Sequence, residues 1–344
     1  MSADLSDVAL LAFQFELGAK NLAALWEVMK DLVPREPRSL AVPAYWSAEL
    51  LRKMAIEAGT LITAEKAERR VLVLENPALR GHSQITTSLY AGVQLILPGE
   101  AAPTHRHTAS ALRLIMEGSG AYTVVDGERV PMHRGDFLIT PTWSLHDHGS
   151  DGDEPVIWLD GLDVPIVKML SAGFSEDGGN GVQTMMRPPG DSLARYGSGL
   201  LPVNYVARDG ASPLFHYPYV RTREALEKMR RVDEWDAAEG LRLAFIDPTT
   251  GESPIRTMGA FIQLLPAGFD GKAIRSTDGT VFSVVEGTGK ILIGDIEWSI
   301  KPNDVFVVPS WIWHRISAES DLILFSFSDR PLHQKLGFWR QQRK

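Results

Sequence analysis

The chain of 344 residues contains no cysteine, and that absence removes several kinds of chemistry at once. Disulfide bonds, thiolate nucleophiles and cysteine-bound zinc or iron–sulfur sites all need this residue. Any metal held by the protein must therefore bind through histidine, aspartate or glutamate side chains.

Two further absences limit the partners that we expect. No apolar run approaches the roughly 20 residues that cross a membrane. Acidic residues flank the short apolar stretch at residues 8–13, where a secretory leader carries positive charge. The formal net charge is -8 with no basic stripe, which argues against a nucleic-acid partner. We therefore expect a cytoplasmic protein with no membrane contact.

The pattern of apolar residues predicts four parts, with a boundary wherever its period changes. Helical spacing opens the chain at Leu25, Trp26 and Met29 and returns over residues 45–56. Short strand-like runs separated by turn signals then indicate a barrel or sandwich, and they return after an irregular middle region. The predicted parts are a helical N-terminal segment (1–70), a first barrel (71–170), a connecting region (171–245) with a helix over residues 222–238 capped by Thr222, and a second barrel with a C-terminal tail (246–344).

The second strand-rich part repeats the first. Asp136 precedes His146 by ten residues, and Asp304 precedes His314 by the same distance. A proline stands midway in both stretches, and Glu-Gly turns match at corresponding positions. The sequence therefore predicts a tandem duplication, and with it two similar barrels.

The first barrel carries a histidine pattern typical of a metal site. His105 and His107 are two residues apart, so in a strand they project from the same face. His146 follows on a later strand and supplies a third imidazole. Small barrels of this kind enclose ligand cavities, and three neutral imidazoles suit Fe, Zn, Cu or Ni.

This combination resembles the metal motifs of the cupin superfamily. A typical cupin carries a glutamate ligand shortly after the second histidine, but Ala111 and Leu112 occupy the matching positions here. We therefore expect a site of three neutral histidines, on which the metal keeps its full charge and favours an anionic, chelating substrate.

The second barrel departs further from that motif. Its matching positions are Ala273 and Arg275, or Ile274 and Ser276 if an insertion falls earlier, and only His314 remains. We therefore expect the second barrel to be metal-free and structural.

Several polar side chains are expected to share the cavity with the metal. Arg113 has the parity of the histidine pair if their strand continues to it, and it would bind a substrate carboxylate or form an internal salt bridge. His148 shares the face of His146 and would contact substrate or oxygen, act as acid or base, or support a neighbour. Strand alternation adds Gln94, Trp158 and Asp160 as candidate lining residues.

Longer stretches of the chain resemble the gentisate 1,2-dioxygenase family, which includes salicylate and 1-hydroxy-2-naphthoate dioxygenases. The resemblance implies a mostly β bicupin with two double-stranded β-helix (jelly-roll) barrels, an N-terminal helical segment and helical connections. It also implies a homotetramer. The similar stretches are residues 105–113, 120–128, 143–149, 152–163 and 217–223.

The same resemblance implies an Fe(II) enzyme of aromatic degradation, with His105, His107 and His146 as ligands. It would use O2 to open gentisate between the carboxyl-bearing and hydroxyl-bearing carbons and give maleylpyruvate, with Arg113 on the substrate carboxylate. The residues at the family's pocket positions are the catalytic candidates His148, Arg113 and Asp160, and the substrate-binding candidates Arg113, Gln94, Trp158, His148 and Arg69.

Other interpretations remain open. Leu114, Met116 and Leu145 replace residues typical of the family and suggest a differently shaped pocket. Salicylate, 5-nitrosalicylate or 1-hydroxy-2-naphthoate is therefore an alternative substrate. Outside this chemistry, the alternatives are a cupin metalloenzyme that uses no O2 and a bicupin that only binds a ligand.

Overall fold

The computed structural model describes residues 5–179, 181–206, 211–232 and 234–344. No helix within these ranges is long and apolar enough to cross a membrane. The chain forms two compact units, Met1–Arg38 and Ser39–Lys344. The smaller unit contains two helices, α1 (Leu5–Ala19) and α2 (Leu25–Leu32).

The larger unit begins with a short strand and two helices, continues into the first barrel, and reaches the second barrel through a connecting region. Up to the end of the first barrel its elements are β1 (Ala44–Trp46), α3 (Ala48–Leu61), α4 (Ala64–Ala67), β2 (Val71–Val73), β3 (Tyr90–Ile96), β4 (Ala101–His107), β5 (Ala111–Glu117), β6 (Ala121–Val125), β7 (Glu128–Pro131), β8 (Phe137–Thr140), β9 (His146–Ser150), β10 (Val156–Leu162) and α5 (Val164–Met169). The later elements are β11 (Ser175–Asp177), α6 (Asp191–Tyr196), β12 (His216–Tyr217), α7 (Tyr219–Met229), β13 (Leu241–Ala244), β14 (Gly259–Leu265), β15 (Ile274–Ser276), β16 (Thr280–Glu286), β17 (Gly289–Ile293), β18 (Ile296–Ile300), β19 (Val305–Val308), β20 (His314–Ala318), β21 (Leu322–Ser328), α8 (Arg330–Lys335) and β22 (Gln341–Arg343).

These strands form two jelly rolls of the same design. In the first, a six-stranded sheet of order β12-β8-β5-β10-β3-β2 faces a five-stranded sheet of order β11-β4-β9-β6-β7. In the second, the six-stranded sheet has the order β1-β19-β16-β21-β14-β13 and the five-stranded sheet the order β18-β17-β20-β15-β22. Every strand of one jelly roll thus has a counterpart in the other, as the predicted duplication requires.

The strand order also shows that the repeats exchange their edge strands. β1 precedes the first barrel in the chain but pairs with β19 of the second, from Ala44 opposite Val307 to Trp46 opposite Val305. β12 precedes the second barrel but pairs with β8 of the first. Each repeat is therefore larger than its barrel, because it includes a strand that completes the other one.

Matched carboxylates fasten the exchanged strands. Asp304 Oδ2 accepts a hydrogen bond from the Tyr45 hydroxyl at 2.8 Å, and Asp136 Oδ2 lies 2.8 Å from Nε2 of His216 and accepts from it. Each carboxylate also accepts a backbone N–H at the start of the helix that follows the exchanged strand. The two aspartates that revealed the repeat in the sequence therefore perform the same structural task.

Apolar side chains fill two regions of the larger unit. Between the two six-stranded sheets, Phe137 of the first barrel packs against Phe325 of the second with ring centroids 5.4 Å apart. Inside the second barrel, Phe282 stacks on Phe306 at 5.0 Å. The interior of the first barrel differs, because buried polar side chains gather there.

Two helix predictions are wrong in their extent. The predicted cap Thr222 lies inside α7, which begins at Tyr219 after Pro218 and ends well before residue 238. Residues 45–56, predicted to be helical, begin as strand β1, and α3 starts only after its N-cap Ser47. Strands of two or three residues are too short to show an alternating pattern, so tertiary pairing decides their conformation.

Candidate metal centre

Strands β4 and β9 bring three imidazoles together inside the first barrel. β4 carries His105 and His107, and β9 carries His146 directly opposite His105. The candidate ligand nitrogens all lie within 4.8 Å of one another, and the ring centroids are 4.5, 4.8 and 5.3 Å apart. Among the described residues, this is the only cluster of three or more potential metal ligands.

Backbone carbonyls set the orientation of two of the rings. Nδ1 of His107 lies 2.7 Å from the carbonyl of Ala109, and Nδ1 of His146 lies 3.0 Å from the carbonyl of Ser144. Both Nδ1 atoms must donate there, so each ring keeps an unprotonated Nε2. Burial lowers the pKa of His146 well below its usual value, which keeps the ring neutral as a metal ligand must be.

His105 differs because its partner is a cation. Arg69 Nη2 lies 2.9 Å from Nδ1 of His105 and can only donate, so the ring proton is on Nε2 in this arrangement. Burial, followed by the charge of Arg69, lowers the pKa of His105 to about 3. Coordination through Nε2 therefore requires the proton to move to Nδ1 and the guanidinium to move away.

The donor set fits one divalent transition metal, since three imidazoles surround a common point and two of them already have Nε2 free. The second barrel offers no such set. Strand pairing places Ile274 opposite His314, just as His105 stands opposite His146. Of the two registers considered from the sequence, the structure therefore selects Ile274 and Ser276 as the counterparts of the histidine pair.

An open cavity of about 530 Å³ reaches the histidine cluster from the surface. His107 forms part of its wall, and the remaining wall is mainly apolar, with Leu162, Val167 and Phe174. Accessible space therefore extends to one of the three imidazoles.

Arg113 enters the barrel from the opposite sheet. It lies on β5, which is separate from β4, so the sequence argument from a continuous histidine strand is wrong, although the side chain does reach the interior of the barrel beside His148. The residue is 3% exposed, with Nη1 donating to the Thr140 hydroxyl at 2.6 Å and Nη2 3.3 Å from Nε2 of His148. Its Nε lies 3.4 Å from Asp160 but has no hydrogen-bond partner. The predicted salt bridge is present, yet it leaves the guanidinium incompletely paired.

Asp160, Trp158 and Gln94 form one wall beside the arginine. Strand pairing sets Asp160 opposite Arg113 and Trp158 opposite Gln94, so the four side chains share a face. Trp158 Nε1 donates to Asp160 Oδ1 at 3.0 Å. Burial raises the pKa of Asp160 to about 6, against the opposing effect of Arg113.

His148 stands next to the cluster and is also buried. Its ring centroid lies 6.0 Å from that of His146 and 5.5 Å from that of Trp158. Since Arg113 can only donate to its Nε2, the ring proton is on Nδ1, which has no hydrogen-bond partner. A buried N–H of this kind is left for a ligand or a water molecule to satisfy.

Two residues near Arg113 and Asp160 inside the barrel were not predicted from the sequence. Thr140 holds the arginine, and its position on a separate strand gave no signal. Tyr90 lies over Gly92, where an added Cβ would come within 2.9 Å of the tyrosine hydroxyl. Burial, followed by the charge of Asp160, raises the pKa of Tyr90. The alternation that pointed to Gln94 also includes Tyr90, so the sequence did contain this signal.

Leu114, Met116 and Leu145 lie away from the cavity, contrary to expectation. Leu114 and Met116 alternate with Arg113 along β5, and both belong to the apolar region between the six-stranded sheets. Leu145 packs instead near Gly178, in a loop that follows β11. These three departures from the family pattern therefore do not reshape the wall beside the histidines.

Known proteins share this architecture along its whole length. The cupin domain family matches residues 92–163 and 261–327, once in each barrel. Gentisate 1,2-dioxygenase 1 of Aquipseudomonas alcaligenes is 54% identical over 331 residues, which cover 96% of this chain and 95% of that protein. The 5-aminosalicylate 1,2-dioxygenase of a Comamonas species is 33% identical over 337 residues, which cover 96% of this chain and 89% of that protein.

A solved structure extends the similarity to three dimensions. Salicylate 1,2-dioxygenase from Pseudoaminobacter salicylatoxidans, in an adduct with gentisate, matches with a TM-score of 0.93 and 32% identity, covering 100% of this chain and 96% of that one. The predicted mostly β bicupin fold is thereby confirmed. At this identity and coverage, the chain belongs to the gentisate 1,2-dioxygenase family of ring-cleaving dioxygenases.

Proposed function

We propose that this protein is an Fe(II)-dependent enzyme that opens gentisate with O2, between the carboxyl-bearing and hydroxyl-bearing carbons, to give maleylpyruvate. The observation that carries the proposal is the position of Arg113, a buried and incompletely paired guanidinium that lies inside the same barrel as three neutral imidazoles. An ortho-hydroxybenzoate offers a carboxylate to the arginine and two oxygens to a metal at the same time.

His105, His107 and His146 are the proposed ligands. Fe(II) bound by these three neutral donors would supply coordination of the substrate oxygens and O2, and electron transfer between them. The protein's own part is to keep the imidazoles neutral, and their burial supports this role.

Arg113 is proposed to neutralise and orient the substrate carboxylate. A charge-assisted contact of this kind is strong inside a low-dielectric cavity. Thr140 and Asp160 already hold the side chain, so binding costs little additional ordering.

His148 and Asp160 are proposed to manage charge and protons around the ring. When Nη2 of Arg113 donates to the carboxylate instead, Nε2 of His148 loses its present donor and becomes free to accept the proton of the ring hydroxyl. Burial keeps His148 neutral beforehand by lowering its pKa. Asp160 offsets the charge of Arg113 and fixes the indole of Trp158.

Arg69, Gln94 and Trp158 are proposed to bind the substrate from the remaining sides. The guanidinium of Arg69 is released when Nδ1 of His105 gains a proton, and it then faces the cavity as a second cation for substrate oxygens. Gln94 and Trp158 lie side by side on the wall next to Asp160.

Gentisate is the favoured substrate for two reasons. The side chains that suggested a reshaped pocket, Leu114, Met116 and Leu145, face elsewhere. Tyr90 adds a hydroxyl to the wall, and a second ring hydroxyl of the substrate has the chemistry to bond to it. Salicylate and its 5-substituted relatives remain the alternative, since the Comamonas relative is a 5-aminosalicylate dioxygenase.

We also propose a homo-oligomer, a tetramer as the family resemblance implies, that works in the cytoplasm. In the N-terminal unit Leu11, Phe15 and Trp26 are 65%, 83% and 61% exposed, and a second copy of the chain would cover them. The division at residues 70, 170 and 245 remains a proposal, with edge strands that cross it.

Oxygen uptake by the Fe(II)-loaded protein tests the proposed reaction. Gentisate, salicylate and 5-nitrosalicylate are compared in parallel while near-ultraviolet absorbance follows the ring-opened product. We expect the fastest uptake with gentisate. Uptake with a salicylate alone would reassign the substrate, and no uptake by protein shown to hold iron would favour a cupin metalloenzyme that uses no O2 or a ligand-binding bicupin.

A further inference from the structure

A β-bulge turns His105 towards the metal centre. β4 and β9 pair Ala102 with His148 and then His105 with His146, so β4 holds one extra residue between the two pairs. Side chains alternate along a strand, so if the same sequence continued in a regular ladder from Ala102, His105 would pair with Leu145 and point to the outer face of the sheet. The geometry of the histidine cluster therefore depends on this local irregularity.

The bulge residues are Pro103 and Thr104, and the polar groups of Thr104 bond outside the β4–β9 ladder. The hydroxyl of Thr104 lies 3.0 Å from Oδ2 of Asp147 on β9 and 2.8 Å from the carbonyl of Gly181. Its N–H donates to that carbonyl at 3.2 Å, and its carbonyl accepts the N–H of Gly178 at 2.9 Å. The loop after β11 thus fastens the bulge from the face opposite the imidazoles.

Asp147 is a fully buried carboxylate at the centre of these contacts. Its Oδ2 also accepts the N–H of Gln183 at 2.8 Å, while its Oδ1 has no hydrogen-bond partner. It lies between His146 and His148 in the chain, so its side chain projects from the other face of the strand. Burying a carboxylate costs free energy, and Asp147 is buried directly beside the proposed metal ligands in the chain.

The second barrel provides an internal comparison. The segment that leads into β15 holds the same extra residue at the same place, since Asp270 pairs with Ser317 of β20 and Ile274 pairs with His314. The counterparts of Thr104 and Asp147 there are Ala273 and Arg315, and the side chain of Arg315 is largely exposed and pairs with Asp270. The bulge therefore forms in the second barrel without a hydroxyl–carboxylate pair, and that pair stands in the barrel that carries the histidine cluster.

We propose that Thr104 and Asp147 are positioning residues for the metal. They brace the bulge rather than create it, and the position of the bulge in turn sets His105 at the distance from His107 and His146 that one ion requires. Neither side chain contacts a ligand nitrogen in the structure, so both act through the backbone of β4. The inference rests on the proposed metal site but not on the identity of the aromatic substrate.

Metal affinity tests this inference without reference to turnover. Asp147→Asn and Thr104→Val are titrated anaerobically with Fe(II) against a chromophoric chelator, and the Co(II) absorption spectrum of each reports the ligand geometry. We expect the dissociation constant to rise by about 10–100-fold, as when other supports of metal ligands are removed. Thr104→Ser keeps the hydroxyl, so we expect it to restore most of the affinity.

Glu128→Gln is the matched control. Glu128 is fully buried in the same five-stranded sheet and accepts the N–H of Ser192, but it lies on β7, away from the ligand strands. We expect this variant to lower the melting temperature while its Fe(II) affinity and Co(II) spectrum stay as in the wild type.

Unchanged affinity and spectrum in Asp147→Asn and Thr104→Val would overturn the inference, whereas a wild type that binds no Fe(II) would overturn the metal site itself. If Asp147→Asn does not fold, the comparison of Thr104→Val with Thr104→Ser decides.

Discussion

At the scale of single residues, Arg113 has the environment with the clearest consequence for binding. Desolvation lowers its pKa while Asp160 opposes that shift, yet Nε remains without a hydrogen bond. A charged donor that is buried without its full set of partners is costly, and an incoming carboxylate relieves that cost. The incomplete pairing of this arginine therefore supports its proposed role in binding an anionic substrate.

Arg113→Gln should raise the KM for gentisate by about 10–100-fold, because a charge-assisted hydrogen bond contributes roughly 1.5–3 kcal/mol. Iron content should stay at the wild-type level, since the side chain contacts no ligand imidazole of the proposed triad. Steady-state kinetics with parallel iron analysis measure both. Arg129→Gln, which removes an arginine packed on Tyr122 at the surface, is the control, and an unchanged KM in Arg113→Gln would move the carboxylate contact elsewhere.

Asp160 makes the stability of the metal-free protein fall as the pH rises, which is opposite to the usual effect of a carboxyl group. Its folded-state pKa of about 6 is above the usual value of about 4, so the folded state binds the proton more tightly. The stability that this group contributes is complete below about pH 4 and is lost as the pH rises through about 6. Thermal unfolding of Asp160→Asn should therefore depend less on pH across that window than the wild type, and parallel profiles would refute the assignment.

Tyr90→Phe should separate substrates that differ at the ring. Loss of the hydroxyl should lower kcat/KM for gentisate by a few-fold to about tenfold, the usual effect of one hydrogen bond. The kcat/KM for salicylate should stay nearly unchanged. Parallel kinetics with both acids give the ratio. An equal loss for the two substrates would mean that the hydroxyl supports the wall and does not read the second ring hydroxyl.

At the scale of elements, the exchanged edge strands link the two halves of the molecule. A second pair of carboxylates repeats the arrangement at the barrel ends, where Asp163 accepts from Ser110 and Thr257 and Asp329 accepts from Gly279 and Ser88. In each case one partner lies in the same barrel and the other belongs to the opposite repeat. Reciprocal hydrogen bonds therefore join the two repeats, in addition to the apolar contact between their six-stranded sheets.

Asp136→Asn should loosen β12 and the start of α7 without unfolding the barrels. The carboxylate accepts hydrogen bonds from His216 and from a backbone N–H at the helix start. Losing such contacts lowers the local free energy of unfolding by about 1–3 kcal/mol. Hydrogen exchange should accelerate at residues 216–222 first. Asp151→Asn, at an exposed ion pair with Arg129, should change little, and equal effects of the two variants would count against the anchoring role of Asp136.

The long elements of this fold could be predicted from the sequence, whereas the short ones could not. His105 and His107 were placed correctly because a period of two is unambiguous in a strand, and the Asp–Pro–His spacing revealed the repeat. The helical prediction for residues 45–56 fails at the exchanged strand Ala44–Trp46, because three residues are too few to show a period. Arg113 lies inside the barrel with the histidines because the two sheets face each other. The spacing of residues in the sequence could not show this.

At the scale of the whole molecule, two barrels of one design have different interiors. The strand positions of Arg113 and His148 are occupied in the second barrel by Phe282 and Ile316, which belong to its apolar core. The interior of the second barrel is thus packed with apolar side chains where the first holds polar ones, and the second barrel receives β1 from the first repeat and presents a broad apolar face to the first barrel. Family membership follows from the whole chain, whereas the substrate depends on a few side chains in one barrel.

The most direct test of the account is turnover of gentisate under ¹⁸O2 by protein of measured iron content, with mass spectrometry of the ring-opened product before its keto oxygen exchanges with water. The account predicts that both oxygen atoms of O2 enter the product, one at each carbon of the broken bond, and that His105→Ala abolishes iron binding and turnover together. Incorporation of a single labelled atom or none, or full turnover by the iron-free variant, would contradict it.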